Sequence, residues 1–199
     1  MSEKIVATKA NLVAARRSLE LAKTGYELMD KKKNILVREI LKLSDEAGKL
    51  QQEISVRFSA AYFALSRAQM SGGLGAQAAE AIPVDDSLEL LNRSVMGVRI
   101  PLITMEERPL YPAYGLSFTS ADLDDAFVRF NEVKELTVRL AQTECTIIRL
   151  GAAIKKTGKR TNALSKLQIP KFENRIRLIT RVLEEKEREE FSRLKAIKR

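Results

Sequence analysis

The sequence predicts a mainly α-helical protein. The N- and C-terminal segments form a long antiparallel two-helix coiled coil, with a small mixed subdomain (a short helix and a β-hairpin) between them. Three observations carry this. Apolar residues recur at a mean spacing of 3.5 through both ends of the chain. Five of nine glycines and four of five prolines fall within residues 72–118. The composition is poor in aromatics (6%) and rich in charge (31%), a profile of long helices rather than a bulky globular core.

The first segment, residues 1–71, carries the clearest rhythm. Alternate steps of three and four from Leu12 give Ala15, Leu19, Ala22, Tyr26, Met29, Lys33, Leu36, Ile40, Leu43, Ala47, Leu50, Ile54, Arg57, Ala61, Ala64 and Ala68. Only Lys33 and Arg57 are not apolar, so a coiled-coil seam is expected. Leu28, Ile35, Val37, Leu41, Phe58 and Leu65 widen the stripe, so this helix is expected to touch more than one partner. No proline interrupts residues 8–70, and a helix of that length spans about 95 Å. "SGGLG" (Ser71 to Gly75) supplies the stop.

Residues 72–118 form the connector. "SLELLNRSVMG" is read as a short helix. "GVRIPLIT" and "LYPAYGLSF" are read as two short strands succeeding one another as a hairpin, with proline at tolerated edge positions.

The last segment, residues 119–199, opens at "TSADLDDAF", where Thr119 and Asp122 fit a capping box. Its seam runs Leu123, Ala126, Phe130, Val133, Leu136, Leu140, Thr143, Ile147, Leu150, Ile154, Thr157, Thr161 and Leu164. Past "LQIPKF" the stripe is displaced by one residue, to Phe172, Ile176, Ile179 and Leu183. Pro170 lacks a backbone donor, so a kink or break is expected there. A lone amphipathic helix is marginal in water, so the two long helices bury their stripes on each other. Antiparallel return sets residues near 8 against those near 195, and those near 70 against those near 121.

Charge is segregated along the chain. Residues 1–33 carry 8 Lys/Arg against 4 Asp/Glu, residues 34–154 carry 12 against 16, and residues 155–199 carry 15 against 6. Antiparallel pairing gathers both basic ends at one pole, which suits an acidic partner. On composition alone the rival is a standalone basic coiled-coil protein binding nucleic acid or an anionic surface. Glu interleaved through the final helix, and few aromatics for base stacking, favour a protein-binding scaffold.

Catalytic readings fare poorly. "KKTGKRTNAL" (Lys155 to Leu164) suggests a phosphate-binding loop, but the required first glycine falls on Ala153 and Arg160 follows Lys159. A helical pattern precedes it where a strand is needed. Without histidine, and with Cys145 as the single cysteine, neither a Ser-His-Asp triad nor a zinc site can be assembled. Cys145 reads as a small core residue, and no intrachain disulfide can form. No cofactor is expected. No apolar run approaches the ~20 residues of a membrane span.

Two distant segments carry a resemblance covering nearly the whole chain. "TKANLVAARRSLELAKTGYELMDKKKNIL" and "KKTGKRTNALSKLQIPKFENRIRLITRVLEEKEREEFSRLK", with "VMGVRIP" between them, resemble the D subunit of the V-type/A-type rotary ATPases. Gly158 departs from the basic or polar residue expected at its position. The resemblance implies a non-catalytic rotor axle on the cytoplasmic face of a membrane, as part of a peripheral complex. It implies partners: a hexameric head of A and B subunits that holds the nucleotide, an F subunit on the side of the coiled coil, and a C subunit (called d in eukaryotes) toward the membrane ring. Lys31, Lys32, Lys33, Lys155, Lys156, Arg160, Arg175 and Arg177 are the candidate head contacts.

Overall fold

The computed structural model describes residues 6–72, 80, 82–105, 111, 114 and 120–198. Helix α1 runs Lys9–Gly72, strand β1 Leu88–Val95, strand β2 Val98–Met105, helix α2 Ala121–Ala163, a π-helical turn Leu164–Gln168, and helix α3 Ile169–Ile197. The protein is mainly helical, with long N- and C-terminal helices and, among the described residues, one small antiparallel hairpin between them.

Local chemistry sets the helix ends. Thr8 caps α1: its hydroxyl accepts the Asn11 N–H at 3.2 Å and its carbonyl accepts the Leu12 N–H at 3.0 Å. α2 starts after Ser120, whose carbonyl accepts the Leu123 and Asp124 N–H groups. Asp122 and Asp124 set negative charge against the positive end of that helix. Thr119 and Gly73 to Gly75, invoked above as cap and stop, lie outside the described residues.

The chain divides into two compact units. One comprises Met1–Ile35 with Ile154–Arg199, the other Leu36–Ala153.

In the first unit the α1 and α3 portions run antiparallel. Lys9 reaches Glu187 (3.3 Å) and Lys23 reaches Glu173 (3.6 Å), so fourteen residues forward on one helix is fourteen back on the other. Lys9 therefore pairs about two turns short of the register expected from sequence, which set residues near 8 against those near 195. Ala15, Ala22, Thr157, Thr161 and Ile179 form the buried set.

The π-helical turn accounts for the displaced stripe. The Ile169 N–H bonds to the Leu164 carbonyl, five residues back, inserting one residue beyond α-helical geometry. Thr161 is buried before the turn, and Ile179, flanked by half-buried Phe172, Ile176 and Leu183, is buried after it. Pro170 sits in the first turn of α3, where its missing N–H is best tolerated.

In the second unit Arg57 pairs with Glu132 and Arg67 with Asp122, ten residues forward on α1 for ten back on α2. Ser71 and Ser120 share a hydrogen bond at 3.1 Å, continuing that register. Ala61, Ala64 and Ala68 are buried, as are Ala126 and Val133. Small side chains let two backbones approach closely. Leu36 and Leu150 are the largest fully buried side chains of this unit. Each contributes about 1.5–3 kcal/mol by leaving water. Tyr62 stands edge-on to Phe130, with ring centroids 5.5 Å apart.

The hairpin corrects one reading of the connector. "SLELLNRSV" is not helical: Leu88–Val95 is β1, and it pairs antiparallel with β2 from Val95↔Val98 to Leu88↔Met105. Met96 and Gly97 make the two-residue turn with φ of 51° and 74°, both left-handed as the tight primed turn requires. The other proposed strand, "LYPAYGLSF", lies outside the described residues except for Tyr111 and Tyr114.

Pro101 stands opposite Asn92, at a position whose N–H points away from β1. Its missing donor therefore costs no ladder bond. Two groups of the same outer edge are held by α2. The Ile103 N–H donates to Gln142 Oε1 (2.9 Å), and Arg149 Nη1 donates to the Arg99 carbonyl (3.2 Å). Lys134 donates to Asp85 just before β1. Asp85 also accepts the Ser87 N–H (2.9 Å), and the Lys134 bond is the first cause holding its carboxyl well below the usual range.

Candidate functional site

All eight candidate head contacts fall in the first unit. Lys31 is exposed on α1, with Lys32 and Lys33 half-buried beside it. Lys33 is held by Asp30 at 3.1 Å, and Asn34 Nδ2 donates to the same carboxylate at 3.2 Å. Lys155, Lys156 and Arg160 are exposed on α2, the last two one helical turn apart. Arg177 is exposed and Arg175 half-buried on α3. Among the described residues, seven of the eight make no ion pair; Lys33 is the exception.

The balance of charge is set by this unit. It carries 23 Lys/Arg against 10 Asp/Glu, a net +13, whereas the second unit carries 12 against 16, a net −4. Like charges spaced at helical distances repel, and salt near physiological strength screens them over about 8 Å. The surface can attract an extended anionic surface. No group of three metal-ligating side chains occurs among the described residues. The first unit's groove, lined by Glu184, Glu187, Arg188, Phe191 and Ser192, is shallow and open.

The expected seam residues distribute as follows. Leu36, Ile54, Leu150 and Ile179 are buried. Leu12, Leu19, Tyr26, Met29, Ile40, Leu43, Leu50, Leu136, Leu140, Ile147, Ile154, Ile176 and Leu183 are half-buried. Buried threonine adds to them. The Thr143, Thr146 and Thr161 hydroxyls donate to the carbonyls four residues back, at 2.9, 2.8 and 3.0 Å. Each thus satisfies its polar atom within its own helix and presents a methyl group to the core. Thr146 was not among the periodic positions read from sequence.

Other residues depart from the sequence reading. Cys145 is exposed, not a core residue, because the buried side of α2 runs through Thr143, Thr146 and Leu150. Arg57, the odd member of the α1 seam, is an edge cation reaching Glu53 as well as Glu132. Tyr114 is buried, donating to Asp124 at 2.6 Å; burial first, then that carboxylate, pushes its hydroxyl up to about 12. No periodicity pointed to it.

Apolar side chains are left outside both pairings. Of those widening the α1 stripe, Leu28 and Ile35 are exposed in the first unit, Val37 and Leu41 in the second; Phe58 and Leu65 are half-buried. Leu21, Leu28 and Ile35 repeat at seven residues, as do exposed Val56, Phe63 and Met70 in the second unit. In the second unit a cavity of about 240 Å³ lies between the hairpin and the helices, lined by Glu39, Glu46, Arg93, Ile100, Thr146 and Leu150 among others.

Comparison with known proteins settles what these parts belong to. The family model for the D subunit of ATP synthase matches residues 11–199. The V-type ATP synthase D subunit of Thermotoga neapolitana is 38% identical over 196 residues, covering 98% of this chain and 97% of the relative. The chain belongs to the ATP synthase D-subunit family. The A-type ATP synthase D subunit of Pyrococcus furiosus is 38% identical over 200 residues, covering 98% and 94%. That of Thermococcus gammatolerans is 37% identical over 196 residues, covering 96% and 92%. Membership assigns the chain to a V/A-type ATP synthase complex, and no described helix is long and apolar enough to cross a membrane. The basic surface of the first unit is thus a feature of a member of this family, to be read as part of that complex.

Proposed function

We propose that this chain is the central-stalk axle of a V/A-type rotary ATPase. It is non-catalytic and transmits torque between a head of A and B subunits and the ion-translocating ring, on the cytoplasmic face of the membrane. The observation that carries the reading is the segregation of charge, +13 in one helix-paired unit against −4 in the other. A shaft turning inside a hexamer must meet changing surfaces without locking to any one. Solvated lysine and arginine suit that better than a fixed apolar patch, because their interactions are long-ranged and weakly dependent on register.

In this reading Lys31, Lys32, Lys33, Lys155, Lys156, Arg160, Arg175 and Arg177 face the head, and nucleotide stays in the head subunits. The paired helices, residues 1–71 and 119–199, resist twisting through their apolar seam, and residues 72–118 connect them. The F subunit and the C (or d) subunit take faces of the second unit, where Val56, Phe63 and Met70 offer a helix-spaced apolar stripe.

Reconstitution with purified A and B subunits tests this. The chain is expected to form a stoichiometric complex. The combined variant Lys155→Glu, Lys156→Glu, Arg160→Glu is expected to keep its helical circular dichroism and bind the head at least ~10-fold more weakly, since the direct loss is a few charge–charge interactions. No complex with wild-type chain, or undiminished binding by the variant, overturns the reading.

A further inference from the structure

The two edges of the hairpin are treated differently. On β2 the outward positions are Arg99, Pro101, Ile103 and Met105. Arg149 takes the Arg99 carbonyl, Pro101 has no N–H, and Gln142 takes the Ile103 N–H. That edge is closed to further strands in the way β-proteins commonly close theirs. On β1 the outward positions are Leu88, Leu90, Asn92 and Ser94, which alternate with those bonded to β2. None of their backbone groups is held by another group among the described residues. β1 is exposed along almost its whole length, including Leu88, Leu90 (73%) and Leu91. A two-stranded hairpin is marginal by itself, and an open eight-residue edge is a template for strand addition.

We propose that this edge pairs antiparallel with the β1 edge of a second copy of the free chain, joining two hairpins into a four-stranded sheet. The sequence of the strand selects that occupant. A two-fold axis through Leu91 sets Leu90 opposite Asn92 and Leu88 opposite Ser94, all outward-bonding positions, as an antiparallel ladder requires. The same register sets Glu89 opposite Arg93, twice. Neither residue is engaged in an ion pair among the described residues. Leu91 then meets Leu91 of the second copy in a non-hydrogen-bonded pair, where side chains come closest. About eight backbone hydrogen bonds would form along the two edges. The pairing is independent of the rotor reading.

Sedimentation of the purified full-length chain over a hundredfold concentration range tests it. A reversible monomer–dimer equilibrium is expected. Asn92→Pro removes one outward N–H while sparing the ladder to β2, and is expected to weaken the dimer at least ~10-fold. Glu89→Arg alone and Arg93→Glu alone each set like charges opposite each other and are expected to do the same. The double exchange Glu89→Arg with Arg93→Glu restores complementarity and is expected to restore the dimer. A wild-type chain that stays monomeric throughout, or a dimer indifferent to all four variants, overturns the proposal.

Discussion

Gly158 stands in the interior of α2, and replacing it with alanine isolates one physical effect. A Cβ built there meets nothing within 4 Å, and its backbone is not left-handed. The added methyl therefore neither clashes nor fills a void, so the packing contribution is close to zero. What remains is the backbone: glycine loses more conformational freedom on entering a helix than alanine does, worth about 0.8–1 kcal/mol. Gly158→Ala is expected to stabilise the chain by about that amount. For a chain of this size the midpoint of thermal unfolding rises by about 2–4 °C. Urea titration and thermal melts followed by circular dichroism, at fixed chain concentration and ionic strength, measure it. A stability loss, or a gain below about 0.3 kcal/mol, refutes the reasoning. A gain in stability together with weaker assembly on A and B subunits would instead locate a close approach of another chain at this residue.

Neighbouring residues on α3 give a paired test of the buried side: Ile179→Ala is expected to cost about 2–5 kcal/mol, whereas Leu178→Ala, half exposed, costs less than about 1 kcal/mol in the same denaturation assay. A double-mutant cycle on Arg57 and Glu132 should give a coupling of about 0.2–1 kcal/mol, vanishing in 1 M salt, since both side chains are roughly half exposed. Tyr114 binds its proton more tightly folded, at about 12, than unfolded, near 10, so its contribution is whole below pH 10 and lost as pH rises toward 12. Tyr114→Phe should flatten the stability curve in that window, and an unchanged slope in denaturation at graded alkaline pH would refute it.

The long helices were legible because little besides a helix seam produces a 3.5-residue apolar rhythm over so many turns. The one-residue displacement after "LQIPKF" was equally legible, although the sequence could not distinguish a kink at Pro170 from the π-helical turn that precedes it. Register in the first unit was not legible. Seams rich in alanine and threonine accept several offsets, and ion pairs such as Lys9 with Glu187 choose among them. The hairpin was half read. "SLELLNRSV" holds too few apolar residues to separate a strand from a helix by period. The decisive signal was "VMGV", a two-residue turn between β-branched residues, with Gly97 at one of its left-handed positions. Of the candidate site, the basic character of each segment could be read directly. Which cations lie exposed and which, like Lys33, are held by a neighbour depends on side-chain geometry.

The π-helical turn has a consequence for chain length. Deleting any one residue from Leu164–Gln168 would leave a count that an ordinary α-helix satisfies, and everything downstream would keep its facing, because the π turn spends five residues where an α turn spends four. Ile179 would stay in the interior and Leu178 outside it. Pro170 alone would suffer, for an unbroken α-helix requires a backbone donor at its position. The turn therefore works as slack in the count: it takes up one extra residue and keeps the buried stripe continuous from Thr161 to Ile179. A one-residue deletion is tolerable inside this turn, whereas one made elsewhere in α3 would rotate everything beyond it by about 100°.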